Sequence, residues 1–170
     1  SNTIIDGDSS GTVVTFYNGE GSEAILKNFT ITNGSGYNRG LSTDGGGIYI
    51  ENADPTLENL VITGNSASNA GGVYSSSSSM ILKNSRIHSN NAHSNVAGGL
   101  FLNSDDGVHQ FIENVHINNN YAVAYGGGVW IKDGNDATFK DCNIKHNTSD
   151  SDGGGVAMTN NCNPTFINLD

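Results

Sequence analysis

The stretch DGGGIYI, Asp44 to Ile50, sets three glycines directly before a short apolar run. It returns as YGGGVWI from Tyr125 to Ile131 and as DGGGVAM from Asp152 to Met158. A phosphate-binding loop would need a helix and a Lys-Ser/Thr pair after its glycines, and neither follows. A sharp corner repeated in stacked layers explains the triplet better. Such a corner needs a positive φ, or no Cβ beneath the next layer, and glycine meets both needs.

Around the glycines a longer repeat emerges, apolar-x-Asn-x-x-Ile. It starts at Leu26, Leu57, Leu82 and Ile112, continues with Asp for Asn at Phe139, and begins a truncated copy at Phe166. The intervals are 31, 25, 30, 27 and 27 residues, and the Gly-Gly anchor follows in step, ending at Gly47, Gly72, Gly99, Gly128 and Gly155. Each copy holds two strand-like pieces. Alternation predicts Leu60 and Ile62 inward with Val61 outward, and Ile48 and Ile50 on one face with Tyr49 on the other. No segment carries a helical period with caps. One copy cannot bury its own apolar face, whereas stacked copies share a core. The reading is an all-β solenoid of about six coils, roughly 29 Å long at the strand spacing. The coils run approximately 1–23, 24–54, 55–79, 80–108, 109–135 and 136–162, with a partial one at 163–170. Variable periods are read as insertions leaving the coil through a turn.

These repeats resemble the right-handed parallel β-helix family, the pectate-lyase-like superfamily in its broad sense. The pairs Gly71-Gly72-Val73, Ile62 to Ala67, Ile87 to Ala92 and Ile117 to Ala122 also resemble the short repeats of polymorphic outer-membrane adhesins. That likeness implies secretion or surface display, adhesion or glycan contact. A leucine-rich repeat fits poorly, because Ala67 stands where its next Leu belongs. The calcium-binding nonapeptide roll repeats its glycines far more often.

Composition narrows the partners. With 17 acidic and 7 basic side chains the net charge is -10, so the basic footprint of a nucleic-acid binder is missing. No apolar run approaches the length of a membrane span. Cys142 and Cys162 make neither a zinc pattern nor a disulfide framework and read as one core thiol and one loop thiol. The chain opens at Ser1 inside a coil and stops at Asp170 inside another, without an evident capping helix. That predicts a piece of a longer solenoid, or ends that meet end to end.

A solenoid turns sequence offsets into surface columns. Asn28, Asn59, Asn84, Asn114, Asp141 and Asn168 are expected to stack as a structural ladder. Lys27, Glu58, Lys83, Glu113 and Lys140 alternate in sign and are expected to pair along the sheet. Tyr49, Tyr74, Phe101 and Trp130 follow the glycines and point outward, as a stacked column or as a platform for sugar rings. Their exposure decides between the two. Arg86, His88, His116 and Lys145 also face outward, and a lyase on acidic glycans would use such a base and such positive charge. The Gly-His-Gly and Asp-Pro-His signatures of β-helix enzymes are absent, and no carboxylate column faces these residues. Turn carboxylates Asp6, Asp8, Asp105, Asp106, Asp150 and Asp152 are weak candidates for calcium. His93, His109 and His146 show no metal-ligand spacing.

The functional expectation is a secreted or cell-surface scaffold, adhesin-like, contacting polysaccharide through the aromatic column. A polysaccharide lyase or epimerase-like domain is the second expectation, and a fibre subunit stacking end to end the third.

Overall fold

The computed structural model describes residues 3–104 and 108–169. Among them every regular element is a strand, and nearly all pairing is parallel between one coil and the next. The first sheet follows the apolar-x-Asn repeat and has ten strands. The second, of six strands, follows the glycines and includes Val14–Phe16, Ile48–Glu51, Val73–Ser76, Leu100–Asn103, Val129–Lys132 and Val156–Thr159. Register is kept coil by coil, with Leu57, Leu82, Ile112 and Phe139 in one row and Ile62, Ile87, Ile117 and Ile144 in another.

Both rows point inward, where they meet Ile48, Val73, Leu100 and Val129 of the second sheet in one continuous core. Each fully buried aliphatic side chain there is worth ~1.5–3 kcal/mol. A coil sandwiched between two others gains that burial on both sides.

The Asn column sits where the first-sheet run changes phase. In Ile81–His88, Lys83 and Asn84 face outward in succession, and inward pointing resumes at Ser85. Asn84 takes φ +51°, and Asn28, Asn59, Asn114, Asp141 and Asn168 likewise lie at positive φ. Because neighbouring coils carry this left-handed residue in register, it acts as a one-residue turn that bends the strand around the core. Asn and Asp tolerate the left-handed region better than other side chains do. The amides bond along the axis in pairs, Asn59 to Asn28 at 2.6 Å and Asn114 to Asn84 at 2.8 Å.

The glycine triplet divides its work. Its first position is left-handed in each coil, at Gly45, Ala70, Ala97, Gly126 and Gly153. Where another coil follows, its later positions leave no room for a side chain: a Cβ on Gly72 would lie 2.4 Å from the Gly99 carbonyl oxygen. Both needs foreseen for the corner are present, on different residues.

Two features depart from the two-strand reading. A third sheet of two-residue strands runs through Ser66–Ala67, Asn91–Ala92, Tyr121–Ala122 and Thr148–Ser149. Such strands are too short for alternation to reveal. An antiparallel hairpin, Tyr37–Asn38 with Thr43–Asp44, leaves the coil of longest period. It is an insertion of the kind the variable period implies.

Candidate functional site

Register places Tyr49, Tyr74, Phe101 and Trp130 in one outward row of the second sheet. Neighbouring ring centroids are 5.2, 4.7 and 5.0 Å apart. The rings are outward but not bare: Tyr49, Tyr74 and Phe101 are only 1%, 8% and 5% exposed. The corner residues Ala70, Val96 and Ala97 pack over them as a second, smaller apolar cluster. The two alanines are the ones that take a left-handed backbone, a strain of about 1 kcal/mol each, and their methyls are buried against the rings. At the first-coil end the hairpin closes the row. Tyr37 stacks on Tyr49 at 4.6 Å, while Arg39 donates to the Tyr49 hydroxyl at 3.0 Å and pairs with Glu51 at 3.2 Å. Burial, then the hydrogen bond to Glu51, pushes the Tyr49 hydroxyl far above its usual range. Only Trp130 is half-buried, with the exposed Tyr125 beside it at 6.3 Å. A sugar platform needs uncovered ring faces, and three of the four candidate rings are sealed.

The outward face of the first sheet is different. Lys83 lies 3.8 Å from Glu58 and Lys140 pairs with Glu113, so the alternating column forms ion pairs within it. Beyond the Asn turn, Arg86 and His116 are register neighbours and both are exposed. His88 and Lys145 belong to the next outward row, with Asn118 between them. From Val61 through Asn143 and from Thr63 through Lys145, these two rows contain no carboxylate. His88 Nδ1 lies 3.2 Å from the Thr63 hydroxyl. Burial first, and the Arg86 charge second, hold the His88 imidazole below its usual range. It is therefore neutral at pH 7 and able to accept a proton. A groove of about 460 Å³ opens beside His116, bordered by Asn114, Asp141, Asn143 and Asn168.

With this geometry, the model of the right-handed β-helix region family matches residues 12–169. The chain belongs to the right-handed β-helix family. Among curated proteins and among solved structures, no match to it is found.

Other residues of this β-helix are occupied in ways the sequence did not reveal. Asp6 accepts from the Asp8 amide at 2.9 Å and from Asn33 at 3.0 Å. Those bonds, the amide first, hold its carboxyl below the ordinary value. Asp150 accepts from the Tyr121 hydroxyl at 2.5 Å, and the Asp152 backbone bridges to Tyr125. Asp105 and Asp106 lie outside the described residues. Among the described residues no three His, Cys, Asp or Glu side chains converge as metal ligands. Cys142 is buried and Cys162 half-buried, both free.

A second Asn ladder runs inside the corner next to the glycines. Asn65 donates to Asn90 at 3.0 Å, Asn90 to Asn120 at 3.1 Å and Asn120 to Asn147 at 3.0 Å. Each Nδ2 also reaches a carbonyl of the preceding coil, Ile31, Ile62, Ile87 or Ile117. The Ile-x-x-Asn-x-Ala pattern shared by Ile62 to Ala67, Ile87 to Ala92 and Ile117 to Ala122 is the trace of this ladder.

Proposed function

We propose that the chain is a rigid β-helix scaffold, secreted or displayed at a cell surface, that spaces or presents other parts of an assembly as an adhesin stalk does. What supports this reading most is the burial of Tyr49, Tyr74 and Phe101. The side chains best suited to stack on a ligand are committed to lateral packing instead. Contact with polysaccharide then falls to the Trp130 end of the row. The test is an array of acidic and neutral polysaccharides, with and without calcium. The scaffold reading expects binding that Trp130→Ala removes with folding intact, and no depolymerisation. Release of shortened, unsaturated chains would overturn it.

One observation favours a second reading, a lyase or epimerase-like domain on acidic glycans. Arg86 and His116 stand side by side without a carboxylate in their rows, next to a neutral His88. In that reading Arg86 and Lys145 meet uronate carboxylates and His88 takes the proton. Unchanged turnover of an established substrate by Arg86→Ala would eliminate it.

A further inference from the structure

Three side chains on adjacent coils stand in the order hydroxyl, imidazole, carboxylate. The Thr138 Oγ1 is 3.1 Å from His109 Nε2, and His109 Nδ1 is 3.2 Å from an Asp136 carboxylate oxygen. The register produces this order. Phe111 pairs with Thr138, which sets His109 across from Asp136. The two-residue period then turns Asp136 and Thr138 to one outward face, and the imidazole spans both. Two other histidines meet hydroxyls, His88 with Thr63 and His93 with Ser66, but both do so through Nδ1. In His109 that nitrogen serves the carboxylate, which holds the proton there and leaves Nε2 as the acceptor. Phe111 and, one coil on, Ile81 continue the outward row beside Thr138, both half-buried. They offer an apolar seat for a short acyl chain.

We propose that Thr138, His109 and Asp136 form an esterolytic relay for short acyl esters, carried on the scaffold and independent of its role. Thr138 Oγ1 attacks the carbonyl carbon while its proton passes to His109 Nε2. The carbonyl electron pair returns as the ester C–O bond breaks, and the alcohol leaves with the proton from Nε2. Water, deprotonated by the same nitrogen, attacks the acyl-threonine and releases a carboxylic acid, restoring Thr138. Ester and water thus become acid and alcohol. Asp136 touches only His109 here and is a positioning residue.

The side chains of His109 and Asp136 are 51% and 57% exposed, so an activated ester is the appropriate probe. The purified chain is incubated with p-nitrophenyl butyrate, and nitrophenolate release is followed alongside peptide mapping by mass spectrometry. Turnover above the protein-free blank and a butyryl group on Thr138 are expected. Thr138→Val abolishes both, and His109→Gln lowers turnover about 10²-fold. Asp136→Asn lowers it too, and Asp136→Glu restores part of it, which a merely structural aspartate would not require. Ser66→Ala, at the hydroxyl–imidazole pair without a carboxylate, leaves the rate unchanged. Circular dichroism confirms that each variant is folded. Turnover equal to the blank, equal rates in Thr138→Val and the parent chain, or acylation of lysines alone would overturn the proposal.

Discussion

Two rows point away from the core, and they end in opposite environments. On the first sheet Lys83 and Glu113 stand in solvent contact. On the second Tyr74 and Phe101 are nearly as buried as the interior. Strand alternation assigned both rows the same direction. The difference comes from the corners. Ala70, Val96 and Ala97 fold back over the rings, whereas the Asn turns of the first sheet carry nothing that folds over its charges. Direction in a solenoid is therefore a property of the strand, and exposure a property of the turn beside it.

Short of removing a ring itself, the comparison breaks most severely where the corner is forced open. In Gly72→Ala the new Cβ meets the Gly99 carbonyl at 2.4 Å and Ile87 Cγ2 at 2.9 Å. Overpacking against backbone costs about 3 kcal/mol, and urea unfolding should show a matching fall in midpoint. Next come the two Asn ladders. Asn90→Ala leaves the Asn65 backbone amide without its acceptor and removes a donor from the Ile62 carbonyl, while Asn120 Oδ1 keeps the Asn90 amide. The stranded buried amide costs ~1–3 kcal/mol. Asn84→Ala, on the exposed ladder, costs the left-handed strain of about 1 kcal/mol and a hydrogen bond from Asn114 that water replaces, and Asn84→Gly is close to neutral. Equal losses for Asn90→Ala and Asn84→Ala in the same unfolding assay would erase the distinction between inner and outer ladders.

Smaller effects sharpen the sealed end of the ring row. Asp44, at the foot of the hairpin, is buried and accepts from Asn69 at 2.7 Å. Burial raises its carboxyl above the ordinary carboxylate value, more than Asn69 and Arg39 lower it. The folded state thus holds this proton more tightly than the unfolded chain. Stability from Asp44 is greatest at low pH and falls as pH rises from about 3.8 through the raised value. Asp44→Asn should gain on the parent chain across that window, and unfolding curves at stepped pH check the sign. Least perturbing is thiol labelling under native conditions. Burial pushes the Cys142 thiol up, so maleimide should modify Cys162 and leave Cys142 until urea is added.

Much of this was legible in the sequence because a solenoid repeats its constraints. The apolar rows of Leu57, Leu82 and Ile112, the corner glycines and the alternating charges each recur five or six times at one offset. What repeats only as two-residue strands, such as Tyr121–Ala122, carries no alternation to read. The cover over the rings was hidden for another reason. Ala70 and Ala97 look like imperfect glycines in the triplet, and nothing local says that their methyls meet Tyr74 and Phe101. The hairpin that caps Tyr49 occurs once, so no repeat announces it. The His109 relay depends on a register between residues 27 apart in sequence, which spacing within one strand does not show.

The central claim is that the ring row is packing and the charge row is surface. The most direct test is urea unfolding of Tyr74→Ala beside Lys83→Ala. Loss of a buried ring predicts a fall of ~3–5 kcal/mol for the first, and loss of one exposed ion pair less than about 0.5 kcal/mol for the second. A Tyr74→Ala chain as stable as Lys83→Ala would contradict the claim and return the row to the surface.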